Sequence, residues 1–432
     1  MDEEVVCYGC VEDQTLQRQI KKNGSSIECS FCNKRRKSIS VASLAEQVAD
    51  ILDEHYVPGG WVPRWRNSDS DRPDYHQRGE SLEYIVGEVL LADNIDPVVQ
   101  AVCSELGSAY GGDEPRYSDE INYVGRRVRP IVAETNWGAF RQDLMHGRRF
   151  FNDSAKQYLQ WLFKDMDSIA SSGELGNSVV RTLSPAEHPP IFRARRCDSN
   201  KEYEAILFNP PKELGAAPKE IVNAGRMNPH GVPVFYGAFE RDTCIAELRP
   251  PVGGRVISGE FRLTKGVRLL DFKALERALE TETWSYFKPG VTQRLERREF
   301  LRGLHKKVSI PVLPGQEHEY LSTQILAEFL ATLHEPPIDG VIFSSAQFKD
   351  GLNVVLFSHV VANPTPLTTL RVLHPPELSD LEPSDQVRIE FVEESVRVHQ
   401  VQGLTYVAPP LTLKEIDLAR YDTLYDEDDE WD

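Results

Sequence analysis

Apolar residues recur every three to four positions in SVASLAEQVADILDEHY, ESLEYIVGEVLLADN and DPVVQAVCSELGS. That is the period of a helix with one buried face, and a serine opens the first of them where an N-cap is wanted. The pattern continues through the long FRQDLMHGRRFFNDSAKQYLQWLFKDMDSIASS, so residues 41–180 read as a helical domain. Between these helices, PGGWVPRWRNSDSDRPDYHQRGE is rich in Pro, Gly and Asp and reads as a loop. A linker near GNSVVRTLSPAEHPP closes the region.

From 190 to 361 the pattern changes to a mixture. FRARRC, the apolar run 232–239, RVISGEFRL, VRLLDF, VIFSS and NVVLFSHVV read as strands. VTQRLERREFLRGL and EYLSTQILAEFLATLH read as helices, and a further helix is expected to start near Asp242 or Thr243, both good N-cap types. Residues 362–420 contain more strand-like runs, VRIEFVEESVRVHQV and LTYVAPP, and form a β-rich C-terminal extension. Residues 421–432, YDTLYDEDDEWD, carry too much charge to pack and read as a disordered acidic tail. No internal repeat is evident.

Composition narrows the class. A chain of 432 residues suggests roughly two to four domains. At 40% hydrophobic and 27% charged it can bury real cores. A net charge of −18 argues against a chain-wide nucleic-acid footprint, though a local basic patch stays open. No apolar run reaches the length of a membrane span. The start, MDEEVVCYGC, is acidic where a secretion signal would be basic, so a cytoplasmic location without membrane contact is expected.

Residues 1–40 hold Cys7, Cys10, Cys29 and Cys32 in a C-x2-C-x18-C-x2-C spacing. Two such knuckles can point four thiolates at one tetrahedral ion, which predicts a zinc-ribbon-like unit with structural Zn2+. A segment this short needs the metal to fold. The adjacent KRRK, Lys34 to Lys37, reads as a solvated loop able to touch nucleic acid. In the helical region, Arg141 and His146 form an R-x4-H pair; a polar helix face is the plainer reading, and an RNase motif the sharper one.

In the mixed region, Arg193 and Arg195 alternate along one strand and so share a face. Arg226 and Asn228 lie in the turn before the next strand, Tyr236 lies within it, and Glu247 follows in an otherwise apolar helix. Ser345 ends the strand VIFSS. Guanidinium forks suit diphosphate oxygens, a phenol can stack on a flat ring, and a carboxylate on an apolar helix needs a partner or a purpose. Each residue alone has a plain alternative: a strand flank, a core tyrosine, a surface ion pair, a turn serine. Their combination points to a site for an anionic ligand.

The segments FRAR, GRMNPHGVPVFYGAF with AELRP, and DGVIFSSAQFKDGLNVVLF resemble the RES domain family over about 190–361. The middle block is close to that family's G-R-x-N-x-x-G-x-P-x-x-Y followed by an Ala-Glu pair. The region before it is similar in arrangement to HEPN-like helical domains that precede some RES domains. The resemblance implies a multidomain chain with a small zinc ribbon, an α-helical N-terminal domain and an α+β ADP-ribosyltransferase-like RES domain. It implies NAD+ as substrate, cleaved at the nicotinamide–ribose bond by water or phosphate, and a toxin or defence effector with an antitoxin or trigger protein as partner. A homo-oligomer is expected. Carried over by position, Arg193 and Arg226 with Asn228 and Asn353 bind substrate, while Tyr236, Glu247 and Ser345 are catalytic, Ser344 being a one-residue ambiguity. The chain departs from the family in having Phe343 and Ser344 where a Tyr-Pro often precedes the serine. Two alternatives stand beside this reading: mono-ADP-ribosylation of a protein or nucleic acid, and an RNA-binding or HEPN-type ribonuclease with a non-catalytic RES part.

Overall fold

The computed structural model describes residues 4–64, 74–108, 117–171, 178–280, 285–309, 317–361 and 387–403. Its first unit is a three-stranded antiparallel sheet in the order Val5–Cys7, Arg35–Ser40, Ser25–Glu28. The helix Gln14–Asn23 packs on it, started by Asp13, whose carboxylate accepts the Leu16 amide at 2.8 Å. Ser40 ends the central strand and caps the next helix, Val41–His55, with no residue between. That helix, Leu82–Leu90 and Pro97–Ser108 bury their apolar faces against the first unit. Val6, Leu16, Ile20, Leu44, Leu52, Ile85 and Val99 share one core. Residues on both sides of the expected boundary at residue 40 thus share one core.

The long helical pattern after residue 130 is broken in two, Ile131–His146 and Asp153–Leu162. Gly147, Phe151 at φ 53° and the cap Asn152, which accepts the Ala155 amide at 2.9 Å, make the turn between them. Its last residues, Ile169–Ser171, are a strand paired with Ala278–Glu280. Two segments read as loop or linker also pair as strands. Trp61–Arg64 forms a hairpin with Asp74–Gln77. Val180–Leu183 lies antiparallel to Val267–Asp271.

The second unit is a nine-stranded mixed sheet. Its order runs Ile389–Phe391, Arg255–Leu263, Ile191–Cys197, Phe235–Ala238, Leu352–Leu356, Gly340–Ser344, Val267–Asp271, Val180–Leu183, with Arg397–Gln400 also on Arg255–Leu263. Among the described strands, only Val267–Asp271 and Gly340–Ser344 run parallel. A sheet buries both faces only if something covers each. Helices Ile131–His146, Asp153–Leu162, Val291–Ser309 and Leu321–Thr332 share a core with one face, through Trp137, Phe140, Phe163, Phe300, Phe329 and Val341. Asn200–Phe208 and Pro210–Leu214 cover the other, against Phe235, Ile257 and Phe261. Two helices of the expected N-terminal domain thus belong to the sheet's core. The two strands from the expected C-terminal extension pair onto the same sheet, while LTYVAPP and the acidic tail lie outside the described residues. Among the described residues, no helix is long and apolar enough to cross a membrane.

One pairing within the sheet is unusually short. Ile191–Cys197 and Phe235–Ala238 are joined by a single pair, Phe192 with Ala238. Past that pair the strands part, and Arg193 is the next residue.

Candidate functional site

The helix Arg241–Glu247 starts one to two residues earlier than expected. Glu240 begins it, its Oε2 accepting the Thr243 hydroxyl at 3.0 Å and the Leu352 amide at 3.2 Å. Its end is enforced by Arg249 at φ 45° and by Pro250 and Pro251, which cannot continue a helix. Glu247 is thereby the last helical residue, exposed, beside the ends of two sheet strands.

Two donors converge on one of its oxygens. Ser345 Oγ lies 2.5 Å from Glu247 Oε1, and Asn353 Nδ2 donates to the same atom at 2.8 Å. The Gln347 and Phe348 amides both donate to Ser345 Oγ at 3.1 Å. Those amides occupy the oxygen's lone pairs, so its one hydrogen goes to Glu247. Glu247 Oε2 has no hydrogen-bond partner among the described residues. Ser344 is the residue whose backbone, not whose hydroxyl, is engaged here: its amide donates to His305 Nε2 at 3.0 Å. Asn353 is 7% exposed and stands in register between Ala238 and Phe343, on the face that carries Tyr236.

Tyr236 is fastened by its hydroxyl, which accepts the Met227 amide at 2.9 Å and donates to Asn228 Oδ1 at 2.9 Å. Burial pushes the phenol up to about 12 despite the Met227 amide and the Arg226 and Arg193 cations, so it stays protonated near neutrality. Asn228, expected to bind substrate, is 2% exposed, and its Nδ2 serves the carbonyls of Asn223, Pro229 and Val232. Its amide hydrogens are consumed in shaping the turn, so the structure gives it a scaffolding place. Gly225 is required there, because a Cβ would stand 2.7 Å from both Asn228 Oδ1 and the Tyr236 hydroxyl.

Arg226 lies between two rings, 5.9 Å from the Tyr320 centroid and 5.7 Å from that of Phe343, and donates to the Val308 carbonyl at 2.6 Å. Its own carbonyl accepts the Thr323 hydroxyl at 2.5 Å, which ties the turn to the helix Leu321–Thr332. Arg193 sits 4.9 Å over the Phe235 ring. Its Nη1 is enclosed without a hydrogen-bond partner, as is Nε of Arg195. Burial and the neighbouring Arg195 bring Arg193 down to about 10, still cationic at neutral pH. An enclosed guanidinium atom without an acceptor is costly, and two within three residues mark a place where an anion would be welcome.

Reading by sequence missed three contributors. Tyr320 and Phe343 flank Arg226, and of these only Phe343 left a trace, as the departure from the Tyr-Pro pattern. His305 left none, since a lone histidine within REFLRGLHKKV carries no motif.

Away from this site, Cys7, Cys10, Cys29 and Cys32 bring their sulfurs within 4.8 Å of one another, a set able to hold a metal ion. Cys7–Cys10 and Cys7–Cys32 are 3.7 Å apart and Cys10–Cys29 3.8 Å. These three separations match the edge of about 3.8 Å that four sulfurs around one ion need for a metal–sulfur bond of about 2.3 Å. Burial raises the Cys7 and Cys10 thiols. At Cys29 burial is outweighed by the Phe31, Cys32 and Cys7 amides, which bring the thiol down to about 7. The pair Arg141 and His146 is not brought together. Five positions along a helix turn side chains about 140° apart; Arg141 is ion-paired with Glu319, and His146 is exposed at the helix end.

The sheet thus carries enclosed guanidinium atoms at Arg193 and Arg195 and, at Glu247, an oriented carboxylate facing solvent. Residues 190–375 match the family model of the RES domain. All residues of the site lie inside that match. The RES family is associated with NAD+-utilising enzymes. No curated protein and no solved structure matches the chain.

Proposed function

We propose that the protein consumes NAD+ by cleaving its nicotinamide–ribose bond, with water or phosphate as acceptor. The observation that carries this is the convergence of Ser345 and Asn353 on Oε1 of Glu247, which orients the carboxylate and leaves Oε2 for a ribose hydroxyl. As the C1′–N bond breaks, its electron pair leaves with nicotinamide and positive charge builds on the ribose, as in glycoside cleavage. A fixed carboxylate stabilises that charge more in the transition state than in the ground state. The acceptor oxygen then bonds to C1′, and its proton passes to solvent. Arg193, beside the parted strands, and Arg226 take the diphosphate. The Tyr236 ring lies beside the nicotinamide. Asn353 and Ser345 act through Glu247.

In this reading a zinc ion held by Cys7, Cys10, Cys29 and Cys32 is structural, since nicotinamide is already a good leaving group. The RES match also supports a toxin-type role, with an antitoxin supplied by another chain. The test is to incubate the purified full-length protein with NAD+, with and without phosphate, and to resolve the products by mass. Free nicotinamide with ADP-ribose, or with its 1″-phosphate, is the expected result. ADP-ribose attached to a macromolecule would replace hydrolysis by transfer. Full turnover by Glu247→Ala would overturn the site.

A further inference from the structure

The Glu247–Ser345 contact depends on where Ser345 is held, and the backbone just before it has an unusual anchor. Val267–Asp271 runs beside Gly340–Ser344, but the register ends with Asp271 opposite Ile342. The chain then turns into the short helix Phe272–Leu275. On that side no strand remains to receive the Ser344 amide, while on the other side Ser345 already donates to the Gly351 carbonyl at 2.8 Å. A partly buried amide left without an acceptor would cost as much as a lost hydrogen bond.

His305 fills the gap. It comes from the helix Val291–Ser309, is 5% exposed, and its Nε2 lies 3.0 Å from the Ser344 nitrogen. Accepting there requires a lone pair, so the ring proton belongs on Nδ1. Nδ1 faces Glu276 Oε1 at 2.6 Å, and the other oxygen of Glu276 takes Lys273 Nζ at 2.8 Å. Although burial raises the Glu276 carboxyl, Lys273 and His305 hold it below its ordinary range, which keeps an acceptor opposite Nδ1. The chain of contacts runs Lys273, Glu276, His305, Ser344 amide, and the next residue is Ser345.

We propose that His305 is a positioning residue: in its Nδ1–H form, selected by Glu276, it clamps the Ser344 amide and so aims the Ser345 hydroxyl at Glu247. This rests on the NAD+-cleaving reading of the site. The two ring nitrogens of His305 bond Glu276 and the Ser344 amide, not Glu247, so its effect is on orientation. Misplacing a catalytic group by a fraction of an ångström is felt in turnover more than in binding.

The test compares His305→Gln with His305→Asn in the full-length protein. The glutamine carbonyl reaches the Nε2 position and can still accept the Ser344 amide; the asparagine side chain stops at Nδ1 and can serve only Glu276. Glutamine should keep kcat within about threefold, and asparagine should lower it roughly tenfold or more with KM for NAD+ unchanged. Glu276→Gln, which can donate to Nδ1 and so move the proton to Nε2, should match the asparagine variant without the risk of a core substitution. Equal kcat for the glutamine and asparagine variants, or a rise in KM alone, would overturn the proposal. Hydrogen exchange of the peptide spanning Ser344 gives a readout independent of turnover. Protection should survive in His305→Gln and be lost in His305→Asn. If the wild-type protein leaves NAD+ intact while that exchange pattern holds, the reaction assignment fails and the clamp stands; if protection is the same in both variants, the clamp fails.

Discussion

Asn353 and Glu247 are 106 residues apart in the chain, yet the Asn353 amide donates to Glu247 Oε1 at 2.8 Å. One partner sits inside the sheet and the other at the exposed end of a helix. A buried, strand-borne amide is a rigid reference point, and it gives a surface carboxylate a defined direction that solvent alone would not.

Removing the carboxylate's charge while keeping its shape isolates what that direction is for. Glu247→Gln should lower kcat for nicotinamide release by on the order of 10²-fold. Because Glu247 is exposed, its melting temperature should stay near wild type, with a stability change of about 0.5 kcal/mol or less. Nicotinamide release and a thermal melt on the same sample check both halves.

Arg193 should trade stability for binding. Its enclosed Nη1 lacks an acceptor, so Arg193→Met removes a buried cation that is incompletely hydrogen-bonded. The variant should be as stable as wild type or more so, by about 1 kcal/mol. At the same time KM for NAD+ should rise at least about tenfold, the loss of one charge-assisted contact. A fall in stability with unchanged KM would mean that Arg193 supports the sheet, not a ligand.

Asp339 gives a pH signature. It is 6% exposed and accepts from His359 at 2.9 Å, from the Arg268 amide at 2.8 Å and from Arg388 at 2.9 Å. Burial raises its carboxyl, but His359, the Arg268 amide and Arg388 together hold it below its ordinary 3.8. A folded-state pKa below the unfolded one adds stability that is fully present above the unfolded value and is lost as pH falls through the folded one. Asp339→Asn should therefore cost about 1–3 kcal/mol at neutral pH, with the difference from wild type shrinking as pH drops below 3.8. Urea melts at neutral and acid pH measure this.

The cysteine cluster predicts a stability effect separate from chemistry. Cys7→Ser should reduce bound zinc and melt the N-terminal unit at lower temperature, since its sheet and the helices through Ser108 share one core. A strong chelator should do the same to the wild-type protein. Intrinsic NAD+ turnover of the folded remainder should change little. Metal content, melting and turnover on one preparation distinguish the two effects.

Several features were legible in the chain alone because they are local. Cys7 with Cys10 and Cys29 with Cys32 are short knuckles whose spacing limits what they can do, and the structure gathers the four sulfurs. In GRMNPHGVPVFYGAF, Gly225, Asn228 and Tyr236 meet within a dozen residues, so the motif is visible as a motif, and residues 190–375 match the RES family. Even so, the motif did not say that Asn228 would be spent on its own turn.

Tertiary structure decided the rest, for one physical reason. Periodicity shows that a helix or strand has an apolar face but not which surface will cover it. Ile131–His146 and Asp153–Leu162 read as part of an N-terminal helical domain, yet they pack on the sheet. Val180–Leu183 read as linker, yet it forms a sheet edge. In the same way, Glu247 announced only that a carboxylate needed a partner. That the partners are Ser345 and Asn353, and that His305 steadies the strand end beside them, follows from long-range strand pairing that no local spacing encodes.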